Sequence, residues 1–131
     1  MTSDLARRFF DAMERSPDGV VPDQGGLHFD DGKPRVDLVP PRTIIEVAKV
    51  FGYGASKYGP RNWERGIAQS RLYGSTLRHL FAWCGGEDID QESAHLHLAH
   101  AAANIMMMID LSLDGRCDDR PSTQEREHGD D

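Results

Sequence analysis

Apolar residues along this chain recur mainly at three- and four-residue steps, which is the helical period. Leu5, Phe9 and Met13 stand four apart, so a helix is predicted over about 4–15 with Ser3 or Asp4 as its cap. The turn residues SPDG at 16–19 end it. Ile44, Ala48, Phe51, Ala55 and Tyr58 mark a second helix, which runs from Pro41, a favourable first-turn residue, to a stop at Gly59-Pro60. Gly52 and Gly54 inside it each cost about 1 kcal/mol relative to Ala, so the pattern allows a break there. Ser70 is the predicted cap of a third helix over 71–84, with Tyr73, Leu77, Leu80 and Cys84 on its apolar side and Gly85-Gly86 after it. Asp90 is the predicted cap of a fourth helix reaching about 113. Between 20 and 41, PDQGG, FDDGKP and VPP break every local pattern, and only the short Val36–Val39 fragment has strand character. The predicted fold is all-α, a small bundle of about four helices with a long irregular loop before the second. Its third and fourth helices form a tight antiparallel pair.

The fourth segment, ESAHLHLAHAAANIMMMIDLSL, carries the sharpest pattern. At about 100° per residue, Ser93, His97, His100 and Asn104 form one narrow polar stripe on an otherwise apolar helix. A helix that apolar is predicted to be buried on most sides, with Met106–Met108 as core filler. The stripe then either touches solvent or lines an internal polar site. Solvent-facing strips usually recruit Lys and Glu, and this one has His and Asn.

Composition narrows the function classes. The 131 residues carry 15 Lys+Arg against 22 Asp+Glu, a net charge of −7, with 38% hydrophobic residues, as in a soluble globular domain. No apolar run approaches the roughly 20 residues of a membrane span. The N-terminal MTSDLARRFF lacks the apolar stretch of a signal peptide. Cys84 and Cys117 are too few for a disulfide framework. The expectation is a cytoplasmic protein with no membrane partner. The charge is unevenly spread: −2 over 1–27, +4 over 28–80, −5 over 81–113 and −4 over 114–131. An acidic chain is a poor binder of long nucleic acid. A basic segment beside an acidic one still suits a small anion held with a cation. The expected organisation is one helical domain over 1–113 and an acidic, flexible tail over 114–131.

Three groups of residues can carry chemistry. In the connector GGEDIDQES, the carboxylates Glu87, Asp90 and Glu92 are hard oxygen ligands of the kind that suit Mg²⁺ or Mn²⁺. They serve equally as a helix cap and solvated charges. In GASKYGPRNWERG, Lys57 and Arg61 can clamp phosphates, Tyr58 and Trp63 offer flat faces to a base, and Asn62 can read a base edge. Trp63 alone is more often a core residue. Lys33 and Arg35 add positive charge on the preceding loop. Arg78 and His79 lie on the third helix. A hairpin turn centred near 88 sets His79 beside His97 and His100, a cluster able either to bind a transition metal or to hydrogen-bond phosphate.

The order GKPRVDLVPP, GASKYGPRNW, LRHLFAWCGGEDIDQES, HLAHAAAN over about 32–108 resembles the phage and bacterial dATP/dGTP diphosphohydrolase family, related to the MazG-type all-α nucleotide pyrophosphohydrolases. The resemblance implies an all-α NTP pyrophosphatase-like fold. It also implies that purine deoxynucleoside triphosphates are split into monophosphate and pyrophosphate with Mg²⁺ or Mn²⁺. In some such phages 2-aminoadenine replaces adenine, and the enzyme supplies dGMP and lowers dATP. The positions matching the motifs are Lys57, Tyr58, Asn62, Trp63, Arg78, His79, Glu87, Asp90, Glu92, His97 and His100. The family's motif usually continues Glu-Ser-Gly, whereas here it is Glu92-Ser93-Ala94. The MazG-type signature, Glu-x-x-Glu followed by Glu-x-x-Asp, is only half present, as Glu87-x-x-Asp90 in a turn; Glu46 followed by Lys49 is a poor first half.

The expected mechanism follows from these groups. Glu87, Asp90 and Glu92 hold the ion, and Glu87, His97 and His100 act on water or a phosphate oxygen. Lys33, Arg35, Lys57, Tyr58, Arg61, Asn62, Trp63, Arg78, His79 and Asn104 bind the nucleotide. Two other readings keep the same residues. One is a His/Asp-type triphosphohydrolase with its metal on His79, His97, His100 and a carboxylate; the other is a non-catalytic assembly module. A dimer or tetramer is the expected state.

Overall fold

The computed structural model describes residues 31–121 and, separately, Arg8. The helix predicted over 4–15 and the end of the chain beyond 121 lie outside the described residues. The chain divides into two units, Met1–Ile44 and Ile45–Asp131. In the first, Val36–Leu38 forms a single 3-10 turn rather than a strand fragment, flanked by an Arg35–Asp37 ion pair of 2.7 Å. Three α-helices follow along the chain: α1 (Pro41–Tyr58), α2 (Gln69–Cys84) and α3 (His97–Leu113). A 3-10 turn at Asn62–Arg65 links α1 to α2. The described residues hold no strand, so the fold is an all-α helical bundle. Among the described residues no helix is long and apolar enough to cross a membrane.

Pro41 does open α1, and the helix runs unbroken through Gly52 and Gly54. Two penalties of about 1 kcal/mol do not break a helix whose other residues keep its period. Gly59 takes φ +92°, a turn conformation that favours glycine, and α1 ends before it. Val50 is buried in a cluster with Ala99 and Ala103 of α3, flanked by Val47, Phe51 and Leu96. The alanines have no bulk to hold α1 away.

α2 and α3 form the predicted antiparallel pair. Gln69, Leu72 and Thr76 line the buried face of α2. On α3 the buried face includes His97 and Leu111, with Asn104 between them at seven-residue steps, the spacing that keeps one stripe against a neighbouring helix. Leu111 is 1% exposed. The polar stripe therefore lies inside the helix pair and not in solvent. The opposite face of α3, with Leu98, Ile105, Met106, Ile109 and Leu113, is exposed, as are Tyr73 and Phe81 of α2. The expectation that the fourth segment is buried on most sides, with Met106 as filler, does not hold within this chain.

Both predicted caps that fall within the described residues, Ser70 and Asp90, are corrected. Ser70 lies inside the first turn of α2, and the cap residue Ala68 makes no side-chain bond. Asp119 does the capping instead: its carboxylate accepts bonds from the Ser70 amide and hydroxyl. α3 begins at His97 and not after Asp90. Residues beyond 113 also pack back. The Gln69 amide donates to the Cys117 carbonyl at 2.9 Å, and Arg116 donates to the Glu64 carbonyl at 2.9 Å.

Candidate active site

The segment between α2 and α3 is a closed turn. Asp90 and Leu96 flank its neck: the Asp90 amide donates to the His95 carbonyl at 2.8 Å, the His97 amide to the Asp88 carbonyl at 2.9 Å, and Ile89 and Leu96 form an isolated antiparallel bridge. The Asp90 carboxylate accepts from the Ser93 hydroxyl at 2.9 Å, so it stabilises this turn rather than a helix start. Ala94 sits at φ +60°, where an L-residue is strained and glycine is at ease. It occupies the place where the resembled motif has Gly.

The turn and the helix pair bring three histidines together. His79 Nδ1 of α2 lies 2.9 Å from His97 Nδ1 of α3. The His79 and His100 rings stack at 4.4 Å with 7° between planes. His97 is 5% exposed, and its Nε2 is a buried atom without an in-line hydrogen bond. Glu87 Oε1 stands 3.2 Å away, a close contact that does not meet hydrogen-bond geometry. His100 Nε2 is 2.6 Å from the Ser93 hydroxyl and 3.4 Å from Asp90 Oδ2.

Burial holds His79 below the ordinary imidazole range, with His97 and Arg78 acting in the same direction against the opposing charge of Asp90. His100 is lowered likewise, by burial first and then by His79. Burial pushes Asp90 up, but the Ser93 hydroxyl, the Glu92 amide and His100 outweigh it and leave its carboxyl below the usual range.

α1 closes the neighbourhood. Lys57 Nζ donates to Glu92 Oε1 at 3.0 Å, which raises the lysine and lowers the glutamate. Tyr53, one turn before Lys57, donates to the same oxygen at 3.4 Å and meets the His100 ring edge-on at 6.2 Å and His95 at 6.1 Å. Burial first, and then Glu92, raises the Tyr53 hydroxyl. Sequence reasoning missed Tyr53; its four-residue spacing from Lys57 was the available signal.

His79, His97, His100, Glu87, Asp90, Glu92 and Lys57 are thus neighbours. Asn104 lies further along α3, bonded to Ser75 at 3.0 Å. Arg78 is exposed on α2. Tyr58, Arg61 and Asn62 sit at and beyond the end of α1, and Trp63 packs on Phe51 at 6.4 Å between ring centroids. Lys33 and Arg35 belong to the first unit.

The carboxylates suit a hard cation chemically, but as placed each faces a different partner. Among the described residues no three His, Cys, Asp or Glu side chains converge as a metal-ligand set. The three histidines do not form a transition-metal cage either. His79 and His100 stack by their faces, His100 Nε2 is held by Ser93, and His97 Nδ1 is taken by His79.

Residues 23–120 match the family model described as dATP/dGTP diphosphohydrolase, N-terminal. The chain belongs to this family. A relative from Salmonella phage PMBT28 named dATP/dGTP diphosphohydrolase is 36% identical over 101 residues, 77% of this chain. That match spans only 33% of the relative's length. No solved structure matches the chain. The family match spans all three α-helices and the histidine cluster.

Proposed function

We propose that this chain hydrolyses purine deoxynucleoside triphosphates, dGTP and dATP, to monophosphate and pyrophosphate, with Mg²⁺ or Mn²⁺. The observation that carries the reading is the meeting of Lys57, Glu92 and Asp90 at the histidine cluster, within the region matching the family. The name of the phage relative supports the substrate class. Lys57 exchanges Glu92 for a phosphate, and Asp90 and Glu92 are the carboxylates that would hold the ion. A hard cation that keeps its waters needs only one or two carboxylates beside substrate phosphates. Once bound, the ion would acidify the attacking water and offset phosphate charge. Tyr58 and Asn62 face the base. Trp63, packed on Phe51, would add a flat face to the base site. In a phage that uses 2-aminoadenine, this activity supplies dGMP and depletes dATP.

The test is a panel of dNTPs incubated with the protein and either metal, with the phosphorus-containing products separated. Monophosphate and pyrophosphate from dGTP and dATP, lost in Asp90→Ala, are expected. Absence of metal-dependent turnover refutes the reading, and release of inorganic triphosphate transfers it to a His/Asp-type reaction. We further read the chain as a homo-oligomer, on the exposed Leu98, Ile105, Ile109 and Leu113 face of α3. Light scattering on the eluted protein tests this, and a monomeric mass excludes it.

A further inference from the structure

The two facing nitrogens of His79 and His97 impose a choice of tautomer. At 2.9 Å one Nδ1 must donate and the other accept. Which way round is decided at the far side of His97. Its Nε2 is buried, and a carboxylate oxygen of Glu87 stands 3.2 Å from it. An unprotonated Nε2 would set its partial negative charge 3.2 Å from a carboxylate oxygen, at a buried position. A proton on Nε2 turns the same contact into an attraction. His97 therefore carries its proton on Nε2 and accepts on Nδ1. His79 must then be the Nδ1–H donor, which leaves His79 Nε2 as an unprotonated nitrogen.

That nitrogen is available. Among the described residues nothing bonds His79 Nε2, and the one buried polar side-chain atom lacking a hydrogen bond is His97 Nε2. The His79 ring is fixed on one face by the His100 stack and through Nδ1 by His97. The groups facing it are His97 and His100 from α3, Asp90 from the connecting turn and Arg78 from its own helix.

We propose that His79 Nε2 is the general base of the reaction, with its basic tautomer set by Glu87 through His97. The inference rests on the pyrophosphohydrolase reading. A water oxygen bonds to the α-phosphorus as the bond from that phosphorus to the pyrophosphate oxygen breaks. The water's proton passes to His79 Nε2 and from there to solvent, so that water and triphosphate give monophosphate, pyrophosphate and one proton. His79 is thereby a catalytic residue and not only a substrate contact, whereas His97 and Glu87 are positioning residues.

The experiment pairs nitrogen-15 NMR of the histidine rings in the full chain, above the imidazole titration range, with steady-state kinetics. Wild type is expected to show His79 protonated on Nδ1 and His97 on Nε2. Glu87→Gln can turn its amide N–H towards His97 Nε2 and is expected to reverse both tautomers, lowering kcat with little change in KM. His79→Gln is expected to lower kcat by about 10²–10⁴-fold and to remove the acid limb of the kcat profile, with its helical circular dichroism unchanged. The reverse tautomers in wild type overturn the proposal whatever the activity, as does undiminished kcat in both variants. If the tautomers are as expected but the wild type hydrolyses no dNTP, the reaction assignment fails and takes the base role with it.

Discussion

His79 Nδ1 and His97 Nδ1 face each other at 2.9 Å across the α2–α3 interface. Burial, and then the facing His97, disfavours the charged His79 ring. His79 and His100 are both held below their ordinary value of 6.5, by burial first. The unfolded chain therefore binds more protons than the folded one in mild acid. This contribution to stability is complete above the unfolded value and is lost as pH falls through 6.5 towards the depressed folded values. Urea midpoints should be lower at about pH 5.5 than at about pH 7.5, and His79→Gln should flatten the difference.

The Lys57–Glu92 pair is solvated, with side chains 44% and 70% exposed. Solvated pairs of this kind contribute little to stability. Lys57→Met is expected to leave the melting temperature nearly unchanged while raising KM for the nucleotide. A large loss of stability with unchanged KM would assign the pair to the fold instead of the site.

Ala94 and Gly52 should respond to opposite exchanges in the same direction. Ala94 holds φ +60°, so Ala94→Gly is expected to stabilise by about 0.5–1 kcal/mol. Gly52 lies mid-helix with open space around a built Cβ, and Gly52→Ala is expected to gain about 0.5–1 kcal/mol. Thermal unfolding of both variants measures this; a destabilised Ala94→Gly would show that the turn does not strain residue 94.

Asp119 caps α2 from a distant part of the sequence. Asp119→Ala is expected to lower the melting temperature by a few degrees. Shortening the chain to end at 115 should cost at least as much, because it also removes the Gln69–Cys117 bond.

Periodicity made the helices legible. Both ends of α1 and the C-terminal end of α2 fall where the pattern put them, and the hairpin arithmetic that set His79 beside His97 is met at 2.9 Å. The turn before α3 was not legible. Asp90 followed by Gln91, Glu92 and Ser93 reads locally as a cap and first turn, yet its carboxylate bonds Ser93 and its amide bonds the His95 carbonyl. A partner five residues away leaves no mark on a local pattern. The capping by Asp119 was hidden for the same reason, at a separation of 49 residues. Tyr53 was overlooked because its site role depends on contacts with His95, His100 and Glu92, all on the other side of the bundle's sequence.

Gln69 ties three segments. Its side chain donates to the Met108 carbonyl at 3.2 Å and the Ser112 hydroxyl at 3.3 Å, while its amide donates to Cys117. The α2–α3 hairpin is thus fastened at its open end as well as at its covalent turn, a ring of chain and not a fork. The histidine nitrogens keep their separation before any ligand arrives, and the entropic cost of ordering them falls on folding instead of on binding.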